Sequence, residues 1–126
     1  MPVESGRAPM PIGPYSQAIA AGAFVFVSGQ IGIDASTGKL VEGGVLAQAE
    51  RIFSNIAAIL AAEGCTLRNV VKCELYLKDI NDFKAVNEAY ARHFSAEPRP
   101  ARQAMQVAAL PMGALIEVSC IAALKK

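Results

Sequence analysis

Two side chains near the end of the chain could do chemistry together. Arg102 stands in the run Arg99-Pro100-Ala101-Arg102-Gln103-Ala104-Met105-Gln106-Val107, and Glu117 in the run from Ala114 to Ala123. Leu110-Pro111-Met112-Gly113 between them is a Pro/Gly connection, so the region reads as two consecutive strands. Side chains alternate across a strand. Arg102, Ala104 and Gln106 therefore share one face of the first strand. In the second, Glu117 and Ser119 lie opposite the apolar Ile116, Val118 and Cys120. If the strands pair and turn their apolar sets inward, Arg102 and Glu117 project together from the outer face. A guanidinium holds a planar carboxylate as a two-pronged fork, which lysine cannot reproduce. A neighbouring carboxylate can orient water and relay a proton. The spacing is equally consistent with a structural ion pair.

Composition narrows the setting. A chain of 126 residues fits one domain, 1–126, with a core of its own. Charged residues are 18% and hydrophobic ones 53%, which argues against disorder. A formal charge of +1 offers no electrostatic footprint for a phosphate backbone, so no nucleic-acid partner is expected. The greasiest run, Leu110 to Leu124, is broken by Pro111, Gly113 and Glu117 and is too short to cross a bilayer. Met1 to Gly6 lacks the cationic-then-apolar pattern of a signal peptide. Cys65, Cys73 and Cys120 show no metal-site spacing and are expected as buried thiols of a reducing, cytoplasmic compartment. His93 is the sole histidine, so neither a histidine-based metal site nor a histidine triad is expected.

The elements that must position Arg102 and Glu117 follow from periodicity. Residues 1 to 14 are rich in Pro and Gly and read as an extended arm ending at Tyr15. Ser16 to Ser28 reads as two short strands about Ala21-Gly22-Ala23, and Ser28-Gly29-Gln30-Ile31-Gly32 follows, where glycine permits close approach of another group. Asp34 to Lys39 is turn chemistry. Leu46, Ala49, Ile52, Phe53, Ile56, Ile59 and Leu60 predict a helix over about Gly44 to Glu63, ended by a left-handed Gly64. Val71, Cys73, Leu75 and Leu77 alternate with Lys72, Glu74, Tyr76 and Lys78, which predicts a strand over Val70 to Lys78. Asp79 to Asp82 supplies caps for a second helix reaching about Phe94, with Phe83, Val86, Tyr90 and Phe94 as its stripe. Asn87 sits beside that stripe, either tied to neighbouring backbone or facing a ligand. The order ββαβαββ predicts an α+β, two-layer sandwich. Its bare sheet face would carry Lys72, Glu74, Tyr76, Arg102, Ala104, Gln106, Glu117 and Ser119, a mixture suited to meeting another sheet in a homo-oligomer.

These residues fall into motifs. Ala8-Pro9 with Ile12-Gly13-Pro14-Tyr15-Ser16-Gln17-Ala18 is followed by Val27-Ser28-Gly29-Gln30-Ile31, Val71-Lys72, Leu77-Lys78-Asp79 and Asp82-Phe83-Lys84-Ala85-Val86-Asn87. Arg99-Pro100-Ala101-Arg102, Val107 to Pro111 and Ile116-Glu117-Val118 complete the set. Over nearly its whole length the chain resembles the reactive-intermediate (enamine/imine) deaminases, the Rid family. The resemblance implies a chorismate-mutase-like fold and a homotrimer with interface clefts. It also implies hydrolysis of 2-aminoacrylate-type enamines and imines to 2-keto acids and ammonia, without metal or organic cofactor. By the same resemblance Arg102 holds the substrate carboxylate and Glu117 serves the water or proton transfer, while Tyr15, Ser28, Gly29 and Asn87 line the cleft. Many members carry a cysteine where this chain has Ala104, so a thiol role there is ruled out, although the Ala104 N–H could still help hold a carboxylate.

The residues leave alternatives open. Tyr15 serves either as a hydrogen-bond donor or as a packing aromatic at a subunit seam. Glu117 feels burial raising its pKa and a nearby Arg102 lowering it, and with these opposed it is expected mostly ionised. The same cleft could belong to a non-enzymatic binder of 2-keto or amino acids, to an RNA-directed protein, or to another chemistry on the same fold.

Overall fold

The computed structural model describes residues 1–124. Its strands are β1 (Pro2–Val3), β2 (Ala18–Ala21), β3 (Phe24–Gln30), β4 (Ile33–Asp34), β5 (Lys39–Leu40), β6 (Val70–Leu77), β7 (Ala101–Gln106) and β8 (Ile116–Ala123). The helices are α1 (Gly44–Ala61) and α2 (Phe83–His93). Six strands form one sheet in the order β1-β2-β3-β8-β6-β7, and β4 and β5 form a small hairpin. Only β6 and β7 run parallel in the large sheet. This is the expected α+β arrangement, with both helices on one side of the sheet.

Periodicity explains the helical layer. In α1 the side chains of Ala49, Ile52, Phe53, Ile56, Ile59 and Leu60 are fully buried, while Leu46, expected in the stripe, is exposed at the first turn. Phe53 joins the two helices, its ring meeting Tyr90 and Phe94 edge-on at 6.1 and 5.7 Å between centroids. The last turn of α1 tightens into i→i+3 bonds at Ala62 and Glu63, and Gly64 follows at φ 71°. A left-handed residue there costs glycine nothing.

In β6, Cys73, Leu75 and Leu77 are buried as the alternation predicts, but Val70 takes the place expected of Val71. The register against β8 slips between Val70 and Lys72, so Val71 is the extra residue of a bulge and is half-buried.

The main departure concerns the last two strands. β7 and β8 do not pair. β8 lies between β3 and β6, and β7 lies parallel to β6 at the sheet edge. A strand alternating Ile116, Val118, Cys120 and Ala122 toward the core suits a central slot, whereas the polar β7 suits an edge. The α2 crossover delivers β7 parallel to β6. Cys73 stands opposite both Arg102 and Cys120 in register, so Arg102 lies on the helix-covered side of the sheet. Ala104 and Gln106 follow it there, opposite Leu75 and Leu77. Glu117 stands opposite Tyr76, on the bare side. Within the chain Arg102 and Glu117 therefore project from opposite faces, and they form no ion pair.

The bare face carries Ala101, Gln103 and Met105 from β7 instead, beside Lys72, Glu74, Tyr76, Glu117 and Ser119. Toward the other edge it is apolar. Ile19, Phe24 and Phe26 are exposed there, with Ile19 and Ile121 flanking Phe26 in register.

The amino-terminal arm is held down more firmly than its composition predicts. β1 pairs with β2, and the buried amide of Gln17 acts as a clamp. Gln17 Oε1 accepts from the Ser5 N–H at 2.7 Å, and Nε2 donates to the carbonyls of Pro9, Ser5 and Ala8 at 2.8, 3.2 and 3.3 Å. Replacing Gln17 with Leu removes these bonds from the Ser5 N–H and the Ala8 and Pro9 carbonyls, and leaves the Ser5 carbonyl only its bond from the Ala8 N–H. The variant is expected to lose roughly 1–3 kcal/mol of unfolding free energy in urea denaturation.

Candidate active site

Two clefts hold the residues singled out in the sequence, Ala104 excepted. The first, of about 350 Å³, is lined by Tyr15, Ser28, Gly29 and Glu117 together with arm residues Pro9 to Ile12, and with Gln17, Gln30, Ile31, Ile33 and Pro111. The second, of about 290 Å³, is lined by Arg102 and Asn87 with Tyr90, Ala91, Phe94, Arg99 and Pro100. One cleft has the carboxylate and the other the guanidinium.

The first is shaped by a bulge. Between Val27 and Gln30 the register of β3 against β8 shifts, and Ser28-Gly29 occupies the irregular stretch. A Cβ on Gly29 would stand 2.6 Å from Glu117 Oε2 and 2.9 Å from Glu117 Cδ. Glycine therefore makes the room that the carboxylate fills. Gly29→Ala is expected to fold but to push Glu117 aside and lower turnover in the cleft by up to about 10²-fold, a loss to be measured as kcat at saturating substrate. Ser28 Oγ donates to the Ser16 carbonyl at 2.6 Å, which pins the segment leading into β2 to the bulge. Tyr15 Oη accepts a long 3.4 Å bond from the Ile12 N–H, leaving its own proton to donate.

Glu117 is half-buried, and burial pushes its carboxyl pKa upward. The opposing pull expected from Arg102 is absent within the chain, because Arg102 is on the other side of the sheet.

Arg102 is held from one side. Its Nη1 donates to Asn87 Oδ1, and its Cζ lies 4.7 Å from the Tyr90 ring centroid and 5.2 Å from that of Phe83. Aromatic faces attract a guanidinium. Burial raises the Tyr90 pKa, which keeps that phenol neutral. Asn87 thus bonds a side chain and not the neighbouring backbone. One of five guanidinium N–H donors is committed to it, and the fork is oriented in advance. Ala104, two residues on, is half-buried on the same edge strand, where alternate backbone N–H groups point away from the sheet.

Sequence reasoning did not give the apolar wall of the first cleft a role, nor did it assign the clamp that holds it. Gln17 lies inside a motif quoted above, yet nothing in the type of a lone amide says that it closes on the arm eight to twelve residues earlier. His93 is structural: its Nε2 lies 2.5 Å from Glu50 Oε2, joining the two helices, and Arg92 bonds the same carboxylate. The three cysteines are buried and no disulfide joins them. Among the described residues no group of three metal-ligating side chains comes together, and no helix is long and apolar enough to cross a membrane.

Comparison with known proteins places this geometry. The family model described as Endoribonuclease L-PSP matches residues 5–124. A protein of the conserved Rid family from Yersinia pestis superposes with a TM-score of 0.95 at 41% identity, covering 98% of each chain. The chain belongs to the Rid family. Among its Rid relatives is the human 2-iminobutanoate/2-iminopropanoate deaminase, 48% identical over 120 residues that cover 95% of this chain and 87% of that one. Another Rid-fold structure is Escherichia coli TdcF with bound serine, with a TM-score of 0.91 and 36% identity over 98% of each chain.

Proposed function

We propose that this Rid protein hydrolyses 2-aminoacrylate-type enamines and their imine tautomers to 2-keto acids and ammonia. It does so as a homotrimer whose clefts join the Glu117 side of one copy to the Arg102 side of the next. The observation that carries this is the division of the chemistry. Each subunit presents an acid-lined cleft without a cation and a cation-lined cleft without Glu117, on opposite sides of one sheet. Its bare sheet face exposes Ile19, Phe24, Phe26 and Met105, which supports burial against another copy. The names of the mammalian relatives support the reaction, and serine bound to TdcF supports a small amino acid-like ligand.

In this reading Arg102, preset by Asn87, takes the substrate carboxylate in a two-pronged grip, with the Ala104 N–H available as a further donor. Each charge-assisted bond is worth roughly 1.5–3 kcal/mol. The enamine takes a proton from solvent at its methylene carbon to become the protonated imine. Glu117, as carboxylate, orients water for attack on the imine carbon and accepts its proton. The proton then passes to the nitrogen, the carbon–nitrogen bond breaks as the new hydroxyl gives its proton back to the Glu117 carboxylate, and ammonia leaves the 2-keto acid. Tyr15 and Ser28 border the reacting atoms. The protonated imine is already electrophilic, so positioning and modest proton relay suffice.

Adding the protein to a serine or threonine dehydratase is expected to speed keto-acid release. Unchanged release would leave a metabolite-binding role in its place.

A further inference from the structure

Glu117 has a polar cross-strand neighbour that is turned away from it. Tyr76 stands opposite Glu117 in the β6–β8 register, so both project from the bare face. The phenol leans along β6 instead and donates its only proton to Glu74 Oε2 at 2.5 Å. That bond raises the Tyr76 pKa most, burial adds to it, and the charges of Glu74 and Glu117 push the same way. Glu74 Oε1 lies 3.5 Å from Lys72 Nζ, so each oxygen of that carboxylate has a partner. The phenol, with Lys72 beside it, holds the Glu74 carboxyl below its usual range, whereas burial raises that of Glu117. Glu74 is therefore an ionised acceptor throughout the window in which Glu117 titrates. On its β3 flank Glu117 fills the space that Gly29 leaves. A carboxylate that accepts a hydrogen bond is favoured in its charged form and is a weaker base. A phenol aimed at Glu117 would thus weaken the group that takes a proton from water in the proposed reaction.

We infer that Glu74 is a positioning residue for Glu117: by accepting the Tyr76 hydrogen bond, it keeps that donor off the reacting carboxylate. This rests on the imine-hydrolysis reading and adds to it a residue that lines neither cleft. The other titratable or charged groups facing Glu117 are Tyr15 in the first cleft and, in the proposed trimer, the guanidinium of the next copy. Neither is altered by a change at position 74 or 76, so both act alike on every variant compared below.

Two readouts follow Glu117. One is the rising limb of kcat against pH. The other, independent of turnover, is the carbon-13 shift of its labelled carboxyl, assigned by its loss in Glu117→Gln. Glu74→Ala is expected to release the phenol to Glu117 and to move both titrations about one pH unit downward. Glu74→Gln removes the charge but keeps an oxygen for the phenol, so both titrations are expected to stay where the wild-type protein has them. Adding Tyr76→Phe to Glu74→Ala removes the donor and is expected to bring both titrations back. Positions 74 and 76 are half-buried and outside the core, so these variants are expected to fold. A carboxyl titration unmoved in Glu74→Ala would overturn the inference. So would an equal shift in Glu74→Gln or in the double variant, since the charge of Glu74 and not the phenol would then be acting. Carboxyl shifts as expected in a protein that hydrolyses no imine would overturn the reaction and leave the contest for the phenol standing.

Discussion

Replacing Arg102 with alanine is expected to reduce kcat/KM for imine hydrolysis by at least about 10²-fold, with secondary structure and oligomer size unchanged. The estimate follows from two charge-assisted hydrogen bonds at roughly 1.5–3 kcal/mol each, part of which is recovered by water. Arg102→Lys is expected to recover little. A lysine keeps the charge but loses the planar fork, the bond to Asn87 Oδ1 and the stacking on Tyr90 and Phe83 that orient the fork. Arg102 is exposed on an edge strand, so stability should change little. Steady-state kinetics of the lysine variant are the informative measurement. Wild-type kcat/KM there would reduce Arg102 to a non-specific positive charge.

Glu117→Gln is expected to lower kcat by about 10²–10⁴-fold, the range of general acid–base help, with KM little changed. Its pH profile should be as telling as its rate. Burial raises the Glu117 pKa, and the proposed role needs the carboxylate. Wild-type kcat should therefore climb as pH rises through that raised value, and this limb should vanish in Glu117→Gln. A kcat that falls across the same window would make Glu117 an acid. Stability carries the opposite sign. A carboxyl with a higher pKa folded than unfolded binds protons more readily when folded. Its contribution is then greatest at low pH and declines as pH passes from the ordinary carboxylate value through the raised one. At neutral pH the ionised, half-buried carboxylate burdens the isolated chain, and the guanidinium of the next copy offsets that burden in the proposed cleft.

Much of this was legible in the residues. The stripe of α1 and the alternation in β6 were clear because each repeats over several turns or pairs. The Gly29 contact was foreseeable as a kind of event, since a missing Cβ permits close approach, although not as a contact with Glu117. What escaped was long-range. That β7 and β8 are consecutive suggested pairing, and pairing would have put Arg102 and Glu117 together. The strands instead sort by how much apolar surface each can bury, which is a property of the whole sheet. The side that Arg102 takes was equally hidden, because the rings of Phe83 and Tyr90 that receive it belong to α2. Val71 lost its core place to a bulge that alternation alone cannot announce.

The division of the site between copies is the central claim, and mixing two inactive variants tests it directly. Arg102→Ala keeps Glu117, and Glu117→Gln keeps Arg102. When the two are unfolded together in equal amounts and refolded, some interfaces unite an intact arginine with an intact glutamate. Random assortment in a closed ring makes about one cleft in four complete, so the mixture should recover about a quarter of wild-type activity, while each variant refolded alone stays inactive. A mixture no more active than its components would mean that both groups act from the same chain, contrary to the arrangement proposed.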